Sequence, residues 1–461
     1  MKLGRALSHL SGSGLIANIG ATSSAQIVQL LIQLAAVPVL AHAWGLERYG
    51  IWLILFTLPS YLALGDLGFV GAAANDMTQA VAQGRRSDAQ RTYRTMRLVL
   101  GATLLILVIV VAGLAFGPAR PLLDFAQASA GGRASLVVAI LAAYGSLGLY
   151  NQLPAAGLRA TGNFARGCYC LSLVNFGEAV VALAVAASGG GLVAIAAAYL
   201  AARLVGSIAL GWLMRRHAQW LGAWSWRMSP VELRRLAKPA AAMAVMPAAS
   251  AISLQGMVAV VGVAAGAAAV PAFTAVRTLT RSAVQLIGIV NHASMPDFTV
   301  ACATDQAERK ADLAALTLMT SLLVLAPAAV GVIALGPLVI HLWTAGAIKP
   351  EMTLIAAMAV VMVFHGSWRA LGNLILAMNE HHRFSYYFLL FSLLSLPLGY
   401  VLIQRTGSAG GGYAMAIADG LLLAVVMRES GRLGIISQNS ILHAPARVGT
   451  MVRRVYGRVK G

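Results

Sequence analysis

Two arginines in one long apolar segment have the spacing best suited to binding a ligand. Arg277 and Arg281 lie four residues apart within residues 269–296. Because successive helical residues turn by about 100°, one sector of about 80° also contains Thr274, Gln285, Gly288 and His292. The segment holds no acidic residue, and guanidinium groups bind phosphate through paired hydrogen bonds. The stripe therefore predicts an anion site; the alternative is pairing with a distant acid such as Asp66.

Neutral polar side chains follow the same kind of spacing in the first apolar segment, residues 15–43. On a helix, one face within about 60° would carry Thr22, Gln26, Gln29 and Gln33. Hydroxyl and amide groups can both donate and accept hydrogen bonds, as sugar hydroxyls require. The face therefore predicts contacts with sugars, and the alternative is hydrogen bonding between helices.

A third polar face combines His365 and Arg369, which are four residues apart and so lie on one side of a helix. At an offset of 217 residues, Gln152 corresponds to Arg369. We expect Arg369 to join Arg277 and Arg281 at the anion. The expected sugar contacts beyond the first segment are Gln152, Gln285 and His365.

Four further ionisable residues inside apolar segments are predicted to couple or gate transport: Asp66, Glu178, Arg203 and Asp419. A charge at the bilayer centre costs roughly 2.5–3.5 kcal/mol on insertion scales, so such residues are functional or paired. Asp66 is expected to take a coupling proton or cation, pair with an arginine, or serve structure. Glu178 and Arg203 can meet across a short hairpin, as a structural ion pair or in proton coupling. Asp419 has no obvious partner.

The composition places these residues in a membrane. Of 461 residues, 59% are apolar and 11% are charged, against about 45–50% and about 25% in soluble domains. A soluble protein could not cover its surface at this balance, which excludes a soluble enzyme and indicates a polytopic membrane protein. The three cysteines give neither a disulfide framework nor a metal set. Catalytic and nucleotide-binding motifs are absent, so we expect no enzyme activity and no cofactor.

Apolar segments of about 20 residues, the length that crosses a bilayer, recur along the whole chain. The expected fold class is all-α, and Pro327 and Pro337 are expected to interrupt the ninth span. The twelve predicted transmembrane helices are residues 15–43, 50–74, 96–117, 134–158, 167–188, 191–214, 239–264, 269–296, 314–343, 352–378, 384–404 and 411–430.

The basic residues between the spans predict the orientation. The formal charge is +19, from 34 lysines and arginines against 15 acidic residues. With both termini in the cytoplasm, 25 of the 34 basic residues lie in or beside cytoplasmic segments and 5 lie in outer segments. This asymmetry follows the positive-inside rule. It explains the charge without nucleic acid and predicts a multi-pass protein with cytoplasmic termini.

The longest cytoplasmic loop divides the chain into two halves of six spans. It combines basic residues with three tryptophans, which predicts an amphipathic linker on the inner leaflet. GLRATGNFAR at 157–166 matches LILAMNEHHR at 374–383 weakly, at the offset of 217. Six spans per half make the repeats parallel, with the transport path between them. The predicted regions are an N-terminal lobe at 1–214, the linker at 215–238, a C-terminal lobe at 239–433 and a basic cytoplasmic tail at 434–461.

Two stretches resemble a known family. YGIWLILFTLPSYLALGDLGFVGAAANDMTQAVA at 49–82 resembles the second span of bacterial polysaccharide flippases, which carry O-antigen, capsule or exopolysaccharide units. GLRATGNFARG at 157–167 is similar to the same family. The resemblance covers nearly the whole chain, since the span number, central linker and length agree. It implies membership of the superfamily that also contains the lipid II flippase and the multidrug and toxin extrusion antiporters.

The resemblance implies two six-helix lobes around a central V-shaped cavity. It also implies a flippase of the bacterial inner membrane that moves polyprenyl-pyrophosphate-linked oligosaccharide units to the periplasmic leaflet. By analogy with the lipid II flippase, Arg277 and Arg281 would contact the pyrophosphate. The expected partners are this glycan lipid, the bilayer, a coupling proton or cation, and a polysaccharide polymerase or ligase.

Two alternatives to the flippase remain. A cation-coupled multidrug antiporter of the same fold would need buried acids facing an otherwise uncharged cavity, and the arginine stripe argues against it. A membrane glycan polymerase or ligase would need a sizeable outer loop with catalytic residues. The longest outer loop, near 118–133, has only about 16 residues.

Overall fold

The structure is a computed structural model that describes residues 12–116, 134–222, 229–303, 307–378, 380 and 382–436. Every regular element in these ranges is a helix, which confirms the all-α fold class. The α-helices are α1 (Gly12–Leu55), α2 (Leu58–Leu62), α3 (Phe69–Ala82), α4 (Arg86–Phe116), α5 (Ala134–Ala160), α6 (Phe164–Ala187), α7 (Leu192–Ala218), α8 (Pro230–Ala251), α9 (Met257–Ala265), α10 (Ala269–Ala303), α11 (Ala307–Trp343), α12 (Met352–Ala377), α13 (His382–Thr406) and α14 (Ala409–Arg432).

Nine helical stretches within the described ranges are long and apolar enough to cross a membrane. The first, Gly20–Leu62, joins two predicted spans because α1 continues through a kink at Gly45. Each of the twelve predicted spans overlaps a helix. The interruption expected in span nine is wrong, since α11 runs unbroken through Pro327 and Pro337. Each proline removes one backbone hydrogen bond, which neighbouring groups in a transmembrane helix can replace.

Contacts between helices divide the chain into two units, Met1–Ala251 and Ile252–Gly461. In the first unit, α1 packs on α6, α5 packs on α7, and α3 packs on α4 and α8. The core of this unit takes side chains from five helices, among them Met77, Met96, Leu153, Leu210 and Leu236. By these contacts α8 belongs to the first unit.

The segment predicted as a linker, 215–238, is helical over most of its described length. It contains the end of α7, a 3-10 helix at Gln219–Gly222 and the first turns of α8, while residues 223–228 lie outside the described ranges. Arg235 of α8 donates hydrogen bonds to both carboxylate oxygens of Asp76 on α3, at 2.6 and 2.7 Å. This fork fastens α8 to α3.

In the second unit, α12 lies among α10, α11 and α14, and α13 packs on α14 and α9. A cluster of buried side chains joins α10, α11 and α12 through Ile287, Leu325 and Met362. A π-helix at Ile252–Gly256 begins the unit. Most of the predicted tail, residues 437–461, lies outside the described ranges.

The turn between α13 and α14 depends on a close backbone contact at Gly410. A Cβ atom at this position would lie 2.3 Å from the carbonyl carbon of Leu402 and 2.4 Å from the nitrogen of Ile403. Backbone atoms cannot move aside as a flexible side chain can, so the hairpin must open to accept a methyl group.

We expect Gly410→Ala to destabilise the protein by about 1–3 kcal/mol, the usual cost of overpacking. Thermal unfolding of the purified protein in detergent measures the effect. Gly431→Ala is the matched control, because Gly431 lies in the same helix and a Cβ there meets nothing within 4 Å. Equal midpoints for the two variants would show that the hairpin tolerates a wider separation.

Candidate functional site

Arg277 of the predicted anion stripe is held by the backbone of its own unit. Its Nη1 donates a 2.5 Å hydrogen bond to the carbonyl oxygen of Leu254, and its guanidinium lies 5.6 Å from the centre of the Phe273 ring. Leu254 belongs to the π-helix, and its carbonyl oxygen has two lone pairs, so it can accept a bond from a side chain as well. Arg277 therefore helps to hold the start of the second unit.

Arg281 and Arg369 have no hydrogen-bond or ion-pair partner within the described residues. Arg281 is half-buried on α10, and Arg369 is exposed on α12, whose membrane segment is the most buried of the nine. The two guanidinium groups are close enough to repel one another. Charged groups inside membranes normally pair with an opposite charge. Two cations that influence each other, with no acid paired to either among the described residues, are the charge pattern that an anion site requires.

Two polar atoms beside Arg281 on the same stripe also lack partners among the described residues. They are the hydroxyl of Thr274 and the amide oxygen of Gln285, and both are buried. Buried polar atoms are hydrogen-bonded in the great majority of cases, so these two atoms require a partner other than the described residues. The side chain of His292, the last residue of the predicted stripe, lies outside the described residues.

Asp419 on α14 has two partners that the sequence did not reveal. Its Oδ1 accepts a 2.7 Å hydrogen bond from the indole N–H of Trp368 and lies 3.2 Å from Nδ1 of His365. The imidazole meets the indole edge-on, with ring centres 4.9 Å apart. The buried carboxylate thus joins α14 to two residues on one face of α12. These contacts span 51 and 54 residues in sequence, a separation that no local pattern predicts.

We expect Asp419→Ala to destabilise the second unit by about 1–3 kcal/mol for each buried donor left without an acceptor. Asp419→Asn keeps an acceptor oxygen of similar shape and should lose less. Thermal unfolding of the purified protein in detergent compares them. Equal losses in the two variants would mean that the acceptor oxygen contributes nothing measurable.

Asp66 lies in the turn between α2 and α3 and caps the second of them. Its Oδ2 accepts the backbone N–H of Val70 at 3.0 Å, an arrangement that suits the positive end of a helix dipole. Leu67 and Gly68 have left-handed backbone, with φ of 49° and 78°. In the described part of the first unit, Asp66 has no ion-pair partner. Nearby, Gln152 donates to the carbonyl oxygen of Ala63 at 3.4 Å.

Glu178 and Arg203 form the ion pair that the hairpin spacing predicts. Nε and Nη2 of Arg203 lie 2.5 and 2.6 Å from the two carboxylate oxygens of Glu178, which is 1% exposed. The hydroxyl of Tyr144 donates to the same carboxylate at 3.0 Å. The guanidinium also lies 4.4 Å from the centre of the Tyr144 ring. The pair joins α6 to α7 and α5 inside the first unit.

A cavity of about 300 Å³ opens beside this ion pair. Of the three glutamines on α1 that were predicted to contact sugars, Gln29 lines it, whereas Gln26 and Gln33 do not. Its lining also includes aromatic residues that no sequence pattern predicted, among them Phe56 and Tyr199. Within an apolar span, the sequence does not distinguish an aromatic residue that lines a cavity from one that packs in the core.

Comparisons with known proteins find similarity in structure. No protein-family model and no curated protein matches the chain. A multidrug resistance transporter of the MATE family in an inward-facing conformation has a TM-score of 0.65 and 16% identity, over 89% of this chain and 98% of that one. The lipid II flippase MurJ in an inward closed conformation has a TM-score of 0.69 and 13% identity, over 96% and 92%.

A third similar structure is a transporter of the MOP superfamily from Pyrococcus furiosus, described by the reverse polarity of its binding pocket. Its TM-score is 0.59 at 16% identity, over 92% of this chain and 95% of that one. The chain has the fold of the MOP transporters. That fold has twelve helices in two lobes, and it makes this chain a multi-pass membrane protein.

Proposed function

We propose that this protein is a flippase that moves polyprenyl-pyrophosphate-linked oligosaccharide units from the cytoplasmic to the periplasmic leaflet of a bacterial inner membrane. The observation that carries the proposal is the pair Arg281 and Arg369, two neighbouring guanidinium groups without an acid among the described residues. A pyrophosphate carries several negative charges and accepts the forked hydrogen bonds that arginine donates.

The fold is compatible with this cargo, because one protein that shares it is by name a lipid II flippase. In the proposed mechanism the arginines replace the water around the pyrophosphate while the lipid tail stays in the bilayer. The two lobes would alternate access by rocking. Both termini would lie in the cytoplasm, and a polysaccharide polymerase or ligase would receive the product.

The remaining predicted residues keep their proposed roles. Arg277 would assist at the pyrophosphate from its place beside the π-helix. A coupling proton or cation would act at one of the ionisable groups Asp66, Glu178, Arg203 and Asp419. The sugars would meet the polar side chains Gln26, Gln29, Gln33, Gln152, Gln285 and His365.

A cation-coupled multidrug antiporter is the second candidate, since MATE transporters share the fold. Such a protein needs a carboxylate free to attract a cationic drug. In this chain Glu178 is paired with Arg203, Asp419 is engaged by His365 and Trp368, and Asp66 accepts the backbone N–H of Val70. These contacts favour the flippase. A deletion strain of a drug antiporter would become sensitive to cationic amphiphiles, whereas we expect unchanged sensitivity.

The sidedness of the lipid-linked oligosaccharide in cells lacking this protein tests the proposal. Intact units should accumulate on the cytoplasmic leaflet, where an enzyme added to the periplasm cannot reach them. Normal delivery to the periplasm in cells with no other flippase would refute the proposal. Accumulation on the periplasmic leaflet would instead indicate a polymerase or ligase.

A further inference from the structure

The cavity of the first unit has features of a small-ligand pocket. Its volume, about 300 Å³, is at the lower end of the range for small-molecule sites, about 300–1,000 Å³. Its lining residues come from α1, α5, α6 and α7, which are distant from one another in sequence. A space of this size suits one ring-sized ligand rather than a whole oligosaccharide.

Aromatic rings form one side of this cavity. The ring of Tyr199 lies 5.1 Å from that of Phe56 and 5.5 Å from that of Tyr144, measured between centres. Trp52 supports this group from behind, at 5.1 Å from Phe56 and 6.0 Å from Tyr199. The negative faces of aromatic rings attract the weakly positive C–H groups on the face of a pyranose ring.

Two amide side chains also line the cavity. Gln29 on α1 and Asn175 on α6 line the cavity, are exposed, and make no hydrogen bond within the described residues. Each amide offers donors and an acceptor, which matches sugar hydroxyls that both donate and accept. The pocket thus offers a ligand both aromatic rings and amide groups.

The charge of the pocket favours a neutral ligand. Its carboxylate, Glu178, is neutralised by Arg203 at 2.5 and 2.6 Å and also accepts the hydroxyl of Tyr144. An organic cation would have to compete with that guanidinium for the carboxylate, and an anion would have to compete with the carboxylate for the guanidinium. A neutral sugar ring requires neither exchange.

We infer that this cavity, lined by Gln29, Asn175, Phe56 and Tyr199, binds a single pyranose ring of the transported glycan. The inference rests on the proposed function and extends it, because it separates the sugar contacts in the first unit from the arginines in the second. It also predicts that variants of the cavity lose binding of the glycan but keep binding of the pyrophosphate, whereas variants of the arginines lose binding of the pyrophosphate.

Binding of two lipids to the purified full-length protein in nanodiscs tests the inference. The probes are bare polyprenyl pyrophosphate and the same lipid with its glycan, extracted from cells lacking the protein. Tyr199→Ala should weaken binding of the glycan-bearing lipid about tenfold, and Asn175→Ala about three- to tenfold. Neither should change binding of the bare lipid. Phe176→Ala is the matched control, because Phe176 is an exposed neighbour on α6 outside the cavity.

Each result distinguishes the two proposals. Wild-type protein that binds neither lipid overturns the proposed function and this inference with it. Wild-type protein and both cavity variants that bind the glycan-bearing lipid equally overturn the inference alone. If Tyr199→Ala weakens binding of both lipids and Asn175→Ala weakens binding of neither, Tyr199 is a packing residue and the inference is again refuted. Asn175→Ala should leave the fold intact, because this side chain makes no hydrogen bond within the described residues, so a loss of binding in this variant does not come from misfolding.

Discussion

Replacing Arg281 by alanine is expected to abolish transport of the lipid-linked glycan while leaving the protein in the membrane. Arg281 has no partner within the described residues, so its removal strands no buried group, and removing a charge from apolar surroundings costs no stability. Loss of a buried, charge-assisted contact costs roughly 2–5 kcal/mol of binding, which is about a 30-fold loss or more. The amount of glycan exported by cells measures the effect.

The controls for this variant separate charge from folding. Arg281→Lys keeps the charge but loses the forked geometry, so we expect partial transport. Arg405→Ala removes an exposed arginine from the last turn of α13 and should transport normally. Membrane levels of each variant are compared by immunoblot. Normal export by Arg281→Ala at normal protein levels would remove Arg281 from the pyrophosphate site.

Replacing Glu178 by alanine is expected to destabilise the first unit strongly. The variant leaves the Arg203 guanidinium and the Tyr144 hydroxyl without their acceptor in the first unit. Removing one partner of a buried ion pair costs about 3–5 kcal/mol. Thermal unfolding in detergent should show a large fall in midpoint for Glu178→Ala.

A double variant decides whether the loss comes from the stranded charge. Replacing both partners, Glu178→Gln with Arg203→Met, removes both charges together and should recover at least half of the lost stability. The matched control is the exposed pair of Arg85 and Asp88, where Arg85→Ala should change stability by about 0–1 kcal/mol. A double variant no more stable than Glu178→Ala would contradict this account of the pair.

Transport by the double variant then separates structure from coupling. If the ion pair only joins helices, the stable double variant transports. If the pair carries a coupling proton, the stable double variant fails even at normal membrane levels.

The positions of the helices were predictable from the sequence, because each helix that crosses a membrane requires a long apolar segment. Spans need runs of about 20 apolar residues, and every predicted run overlaps a helix. The contact of Glu178 with Arg203 was predictable too, since both residues lie at similar distances from one short turn. In a helical hairpin, two residues that are equally far from the turn in sequence lie side by side at a similar depth in the membrane.

Contacts between distant helices were beyond the sequence. Trp368 and His365 meet Asp419 because α12 and α14 pack together, and no spacing in a single chain encodes which helices become neighbours. The carbonyl that holds Arg277 belongs to Leu254, which lies 23 residues earlier in a π turn that no spacing in the sequence marked. The aromatic cavity was not predicted, because its walls come from helices that are distant in sequence.

The most direct test is transport by the purified protein in proteoliposomes under an imposed membrane potential. The polyprenyl-pyrophosphate-linked glycan is placed in both leaflets, and a glycosidase added outside digests the accessible half. We expect wild-type protein to expose the protected half to the enzyme and Arg281→Ala to leave it protected. A protected half that stays intact with wild-type protein, or that both proteins expose equally, would contradict the proposed function.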